Sequence, residues 1–206
     1  GSVVIYRLLG GDGGWQTQET VVAEIPDNGD HFGTSVSIDN NLLVVGAPDA
    51  STTGSLNGVA YIYRYSPGSG SWTPEWMLNP TGDSRSGLFG AAVDVRGGLL
   101  AVGAPNAEGW MGTQSGYAVV YEEPSDDQWQ NDPRLPYPII LNRSDLMHEA
   151  PLPSFGTTVA IKDDIALVSQ PASRQIFPFR RQGSPGSPWT RLPVELHAPV
   201  PNNPPL

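Results

Sequence analysis

One serine stands in a loop of the kind that can carry a nucleophile. Residues 82–87 read Gly-Asp-Ser-Arg-Ser-Gly and place Ser84 near flexible glycines. A serine attacks only when a histidine is positioned to take its proton. No motif places His31, His148 or His197 against Ser84, and the three histidines share no metal-ligand spacing. The sequence therefore predicts no catalytic residue, no metal site and no enzymatic activity.

Acidic side chains are the second group that could do chemistry. Asp27, Asp30 and Asp49 fall in predicted loops that could meet at one rim of the molecule. Carboxylate oxygens are the ligands that calcium prefers. Solvated loop acids are the simpler interpretation of these three residues. The sequence therefore predicts no cofactor, and calcium at these loops is the open alternative.

The composition disfavours several classes of partner. A formal net charge of −10 argues against binding to nucleic acid or to anionic membranes. No segment approaches the ~18 apolar residues of a membrane span. The chain has no cysteine, so neither a disulfide nor a thiolate metal site can form. Its 24 glycines and 21 prolines favour turns and strands over helices.

Two further positions are candidates for modification and for ligand binding. Residues 142–144 read Asn-Arg-Ser, which makes Asn142 a candidate glycosylation site. Trp110 and Met111 form an apolar pair in the long loop of residues 106–115. Because loops on rigid scaffolds commonly carry binding, this pair is the candidate contact for a glycan or protein ligand. The alternative is a Trp110 side chain folded beneath its own loop.

An internal repeat sets the elements that position these residues. Phe-Gly pairs begin at Phe32, Phe89 and Phe155, and Gly-Ala-Pro runs end at Pro48 and Pro105. The first two copies are 57 residues apart at both markers, and tryptophans at positions 15, 72 and 129 keep that spacing. The third copy is delayed because a proline-rich, loop-like stretch precedes it. Repetition at this length is typical of a solenoid or a propeller.

Each copy holds four runs typical of β-strands. The first two runs are joined by Asn-Asn at 40–41, Gly-Gly at 97–98 or Asp-Asp at 163–164, which accept the positive φ of a hairpin turn. The second run is almost wholly apolar, as expected of a strand covered on both faces. The third run carries aromatics. A tryptophan opens the fourth run, which is predicted over 129–141 in the second copy and 189–196 in the third.

The repeat predicts an all-β fold built from β-propeller blades of four antiparallel strands. Residues 1–6 align with the third run of the later copies, so the chain should hold three full blades and one half blade. The predicted units are residues 1–31 for the half blade (strands three and four), 32–88, 89–154 with the proline-rich insertion and 155–197 for the full blades, and 198–206 for a proline-rich tail or linker.

The motif of the first copy resembles the FG-GAP repeat. Residues 30–39 read Asp-His-Phe-Gly-Thr-Ser-Val-Ser-Ile-Asp, and Val-Val-Gly-Ala-Pro follows at 44–48. FG-GAP repeats form the blades of the integrin α-subunit propeller, and the likeness is greater to short-turn repeats of bacterial and protist surface proteins. The resemblance implies a larger propeller of about seven blades at an extracellular or cell-surface location. It implies a structural role for the motif residues, which are Phe32, Gly33, Gly46, Pro48, Phe89, Gly90, Gly103, Pro105, Phe155, Gly156 and Pro171.

The same resemblance bears on calcium. Integrin-type blades hold the ion in an Asp-x-Asp-x-Asp-Gly cage between strands one and two. The corresponding turns of this chain are two residues long and cannot supply the six or more oxygens that calcium takes. The cage of the family is therefore absent from the sequence.

These observations predict a non-enzymatic extracellular β-propeller module for adhesion, scaffolding, or surface or fibril assembly. One alternative is a glycan- or protein-recognition module that acts through the loops between strands two and three. Another is an accessory propeller of a larger secreted hydrolase. The half blade should leave one edge of its first strand unpaired, and such edges invite pairing. We therefore expect other protein chains, or the remainder of a larger protein, to complete that blade.

Overall fold

A computed structural model describes residues 1–10, 13–51, 57–79, 87–108, 115–124, 129, 139–141, 153–194 and 196–197. This part of the chain is built from fifteen β-strands. Apart from single-residue assignments, its helical structure is one turn of 3₁₀ helix at Pro171–Ser173. None of the described helical structure has the length and apolar character needed to cross a membrane.

The strands form four antiparallel sheets that follow one another along the chain. The N-terminal pair consists of β1 (Ser2–Leu8) and β2 (Trp15–Val22). Sheet 1 consists of β3 (Ser35–Asp39), β4 (Leu42–Ala47), β5 (Val59–Ser66) and β6 (Ser71–Leu78). Sheet 2 consists of β7 (Ala92–Arg96), β8 (Leu99–Ala104), β9 (Tyr117–Glu122) and β10 (Ile139–Leu141). Sheet 3 consists of β11 (Val159–Lys162), β12 (Ile165–Gln170), β13 (Gln175–Arg181), β14 (Trp189–Arg191) and β15 (Leu196–His197).

Within each sheet the strands pair in sequence order, which is the connectivity of a meander, except that β15 in sheet 3 pairs with β13. The tight turn between the first two strands of each four-strand unit is as predicted. Asn40 and Asp163 adopt positive φ of 52° and 54°, and Gly97 and Gly98 adopt 57° and 75°. The predicted all-β architecture is therefore confirmed, and its sheets are consistent with propeller blades.

The fourth strands of sheets 2 and 3 differ from their predicted bounds. Trp129 does not open a strand, and among the described residues those that pair with the outer side of β9 are Ile139–Leu141. In sheet 3 the predicted strand over 189–196 is divided into β14 and β15, which both pair with β13. Pro193 lies between the two pieces, and a proline has no N–H to donate to the ladder. The outer edges of sheets 2 and 3 are thus less regular than the repeat indicates, whereas the fourth strand of sheet 1 is the continuous β6.

The core lies between sheets. Three clusters of buried side chains occupy three junctions, one between the N-terminal pair and sheet 1, one between sheets 1 and 2, and one between sheets 2 and 3. Strand β4 contributes Leu42 and Val44 to one junction and Leu43 and Val45 to the other. Because its side chains alternate between two buried faces, the strand must be apolar at every position. Phe32, Phe89 and Phe155 each lie in one of the three junctions.

Truncation of Phe89 tests the packing of one junction. The side chain is fully buried between sheets 1 and 2. We expect Phe89→Ala to lower the free energy of unfolding by about 3–5 kcal/mol because it removes a buried ring and leaves a cavity. Tyr6→Ala, which truncates an exposed ring on β1, is the control and should change it by less than about 0.5 kcal/mol. Denaturant melts measure both, and equal losses would contradict the packing described.

Candidate functional site

Neighbouring sheets approach each other closely at glycines of the repeated motif. A Cβ atom on Gly46 in sheet 1 would overlap the carbonyl oxygen of Gly90, the Phe-Gly glycine of sheet 2. A Cβ atom on Gly103 in sheet 2 would overlap the carbonyl oxygen of Gly156 in the same way. The Gly-Ala-Pro glycine of one sheet thus receives the Phe-Gly carbonyl of the next sheet. Only a residue without a side chain fits at that point.

The same glycines are joined within each sheet by hydrogen bonds. The N–H of Gly33 donates to the carbonyl of Gly46, and the N–H of Gly90 donates to that of Gly103, each over 3.0 Å. Gly156 donates to the carbonyl of Ser169 over 3.0 Å. Bonds within sheets and contacts between sheets therefore alternate along one backbone track. We call this series the glycine track; its residues are Gly33, Gly46, Gly90, Gly103, Gly156 and Ser169.

A second glycine of each unit has a role that the sequence reasoning missed. A Cβ atom on Gly58 would overlap the carbonyl oxygen of Phe89, and one on Gly116 would overlap that of Phe155. Gly1 stands against the carbonyl of Phe32 in the same manner. The signal available in the sequence was the constant place of this glycine, directly before the aromatic strand. The N-terminal pair therefore docks on sheet 1 as sheet 1 docks on sheet 2.

Polar side chains on the first strands join the sheets at a further point. Ser37 on β3 accepts a hydrogen bond from the Val95 N–H over 3.1 Å and donates one to Asp94 over 3.0 Å. Asp94 on β7 accepts a hydrogen bond from the Ile161 N–H over 2.7 Å. Each of these first strands thus offers a polar side chain to a backbone N–H of the following sheet.

Carboxylates join the fourth strands to the next unit. Glu19 on β2 accepts a hydrogen bond from the Trp72 N–H, and Glu75 on β6 accepts one from the Trp129 N–H. The Arg64 guanidinium also bonds Glu75 (2.7 Å) and Glu123 (2.8 Å), which links sheet 1 to the segment after β9. Burial acts to lower the pKa of Arg64, but its hydrogen bonds to the two carboxylates outweigh burial and raise that pKa. These acids therefore serve contacts between sheets.

Exposed apolar side chains mark the side of the N-terminal pair that faces away from sheet 1. Trp15 is 69% exposed, whereas its repeat equivalents Trp72, Trp129 and Trp189 are 7%, 0% and 9% exposed. Tyr6 is 57% exposed, whereas its equivalent Tyr63 is 2% exposed. Trp15 therefore lacks the packing between sheets that buries its repeat equivalents. The equivalent tryptophans are covered by a neighbouring sheet, and the described residues provide none for Trp15.

Two side chains of β3 are exposed for a related reason. Val36 and Ile38 are 51% and 54% exposed, whereas the equivalent Val93 and Val95 on β7 are 8% and 2% exposed. Val93 and Val95 pack against the first two strands of sheet 1. Among the described residues, β1 pairs with β2 alone, so the N-terminal pair has no first and second strand to cover β3. We call the free edge of β1, together with Val36 and Ile38, the open edge.

The predicted loop acids are brought together by the fold. The Asp30 carboxylate is buried and accepts a hydrogen bond from the Asp27 N–H over 3.0 Å. The Asp30 carbonyl accepts one from the Asp49 N–H, and the Asp49 carboxylate pairs with the His31 ring. In the part of the chain that the structure describes, no group of three or more His, Asp or Glu side chains is placed to hold a metal ion.

The remaining predicted residues fall in two groups. Pro48 and Pro105 directly follow the last residues of β4 and β8, and Pro171 opens the 3₁₀ turn after β12. The candidate ligand pair and the candidate glycosylation site lie outside the described residues, as does the serine of the predicted loop; these are Trp110, Met111, Asn142 and Ser84.

One comparison with known families identifies the repeat. Residues 15–63 match the family model described as the FG-GAP repeat, so the chain carries an FG-GAP repeat. The matched segment runs from β2 of the N-terminal pair to Tyr63 in β5. It contains Gly33 and Gly46 of the glycine track, which belong to the motifs Phe32-Gly33 and Gly46-Ala47-Pro48. A search of the curated proteins found no match to the chain.

A single methyl group tests the glycine track. We expect Gly103→Ala to lower the free energy of unfolding by about 1–3 kcal/mol, because its Cβ would overlap the Gly156 carbonyl and separate sheets 2 and 3. Gly10→Ala is the matched control, since no atom outside Gly10 and its two chain neighbours lies within 4 Å of its Cβ position. Thermal melts of both variants measure the difference. A Gly103→Ala variant as stable as the control would contradict the close approach.

Alkaline titration tests the contact between the N-terminal pair and sheet 1. The Tyr63 hydroxyl donates to the Val22 carbonyl over 2.6 Å. Burial, with smaller contributions from Tyr61 and Glu24, raises the Tyr63 pKa above its usual value of 10.0. The neutral Tyr63 hydroxyl therefore makes its full contribution to the stability of the fold below about pH 10, and this contribution is lost as pH rises through the raised pKa. In melts from pH 7 to 12, we expect the free energy of unfolding of Tyr63→Phe to fall less steeply with rising pH than that of the unchanged chain. An equal dependence on pH in the two proteins would contradict this.

Proposed function

We propose that this chain is a non-enzymatic, extracellular β-propeller module for adhesion, scaffolding, or surface or fibril assembly. The observation that carries the proposal is the open edge, together with the exposed Trp15 and Tyr6 of the N-terminal pair. These side chains occupy positions that are buried elsewhere in the repeat. The proposed module is therefore built to be covered by further polypeptide.

The free edge of β1 supports the same proposal. In sheets 1, 2 and 3, the third strand pairs on one side with β4, β8 or β12. The equivalent side of β1 presents backbone N–H and C=O groups without a described partner strand. Such groups are a template for pairing with another chain. We infer that other chains, or the remainder of a larger propeller of about seven blades, complete this unit.

The non-enzymatic part of the proposal rests on where the charged side chains are engaged. Glu19, Glu75 and Asp94 accept hydrogen bonds from backbone N–H groups of the following unit. Glu122 on β9 pairs with Arg181 on β13 over 3.1 Å, again between sheets. Groups used in this way hold sheets together. The extracellular location is inferred from the FG-GAP repeat of residues 15–63.

Self-association of the 206-residue chain tests the proposal. We expect light scattering over a concentration series to give a mass above that of one chain, because the free edge of β1 and the apolar side chains beside it should pair between copies. Val4→Lys places a charge on β1 at a position 43% exposed and should reduce the association. Ile140→Lys, at a position 46% exposed on β10, is the matched control and should not.

Two results would contradict the proposal. One is a chain that stays monomeric at every concentration and melts in a single sharp transition. The other is association that both lysine variants reduce equally, since contacts between copies would then not depend on β1.

A further inference from the structure

We propose that the open edge is a specific docking site for a β-hairpin of FG-GAP sequence that lies outside residues 1–206, with glycine in its second strand and Ser or Asp in its first strand. This inference rests on the proposed function, because it names the partner that completes the open unit. It is argued from the two junctions in which the structure shows such a hairpin in place.

The space beside β1 has the form of a two-stranded hairpin. In sheets 1 and 2 a hairpin, β3–β4 or β7–β8, pairs with the third strand through its second member. Each hairpin also packs on the first strand of the following sheet, which is how Val93 on β7 becomes buried. A hairpin on β1 would cover Val36 and Ile38 on β3 in the same manner. The proposed interface therefore continues an interface that the structure already contains.

The close approach at Gly33 requires glycine in the incoming hairpin. Gly90 and Gly156 direct their carbonyl oxygens at Gly46 and Gly103, where no Cβ atom fits. Gly33 is the equivalent Phe-Gly glycine of sheet 1 and has the same left-handed backbone, with φ of 91° against 87° and 92°. Its carbonyl should therefore meet the second strand of the incoming hairpin at equally short range. A side chain at that position would hold the hairpin away from β1.

The first strand of the incoming hairpin requires a polar side chain. The Val95 N–H donates to Ser37, and the Ile161 N–H donates to Asp94. Ile38 is the equivalent residue of β3, so its N–H would meet the matching position of the occupant. A hydroxyl or carboxylate oxygen there reproduces the bonds of the other two junctions.

The third hairpin of this chain lacks both features. Ala160 stands where Ser37 and Asp94 stand, and Ser169 stands where the Gly-Ala-Pro glycines stand. The Ser169 hydroxyl already accepts a hydrogen bond from the Thr158 N–H over 3.0 Å. A hairpin of the β11–β12 kind should therefore fit the open edge poorly. The site thus distinguishes between hairpins of one repeat family.

Binding of labelled hairpin peptides to the 206-residue chain tests the inference. We expect the peptides of residues 32–48 and 89–105 to bind in fluorescence anisotropy, and the peptide of residues 155–171 to bind about tenfold or more weakly. Two changes in the last peptide, Ala160→Asp and Ser169→Gly, should restore binding. The reverse changes in the peptide 89–105, Asp94→Ala and Gly103→Ser, should remove it.

A change in the receiving chain locates the site. Ile38→Lys alters a side chain that is already exposed, so it should leave the melting temperature unchanged and weaken binding of the peptide 89–105 about tenfold. Ile176→Lys, at an exposed position on β13, should leave binding unchanged. Equal loss in both variants would overturn the proposed location.

The outcomes separate this inference from the proposed function. A chain that self-associates but binds all hairpin peptides equally, or none of them, overturns the specificity and leaves the proposed function standing. Self-association that persists at saturating peptide 89–105 would show that copies meet at another surface, which contradicts self-association through β1 and leaves the inferred docking site standing. A monomeric chain that discriminates between the peptides supports the inference and contradicts self-association through β1.

Discussion

The approach of a backbone carbonyl to a neighbouring glycine sets the distance between consecutive sheets. Gly90 and Gly156 each place a carbonyl oxygen where a Cβ atom of the preceding sheet would otherwise lie. This contact brings the backbones close enough for the phenylalanine of each unit to fill the junction and for strands such as β4 to be buried on both faces. Close packing then follows along the whole junction, because interiors tolerate few voids.

The same geometry gives each sheet two different faces. One face supplies the Phe-Gly carbonyl to the preceding sheet, and the other supplies glycines and a polar first strand to the following sheet. Sheet 3 retains the first face, since Phe155 and Gly156 dock on sheet 2. On its other face Ser169 replaces glycine, and Arg174 keeps a left-handed backbone with φ of 57° at the position of Gly58. The sheets therefore stack through the glycine track in one direction only, each docking its Phe-Gly carbonyl on the sheet that precedes it in the chain.

Much of this arrangement could be predicted from the sequence, because the repeat records local requirements. The spacing of Phe32 and Phe89, the apolar second strands and the hairpin turns each follow from positions within one unit. The exposure of Trp15 could not be predicted, since it has the same place in its unit as Trp72 and differs only in what lies beside it. The role of Gly58 was also missed, because it depends on a carbonyl in the next unit. Contacts between units are non-local, and one sequence shows them only indirectly.

Amide hydrogen exchange tests the glycine track most directly. The N–H groups of Gly90 and Gly156 donate within their sheets at the points of closest approach between sheets. We expect both to exchange as slowly as the fully buried Val102 in β8, because opening them requires separation of two packed sheets. Exchange of Gly90 and Gly156 as fast as that of Gly68, in an exposed turn, would contradict the account.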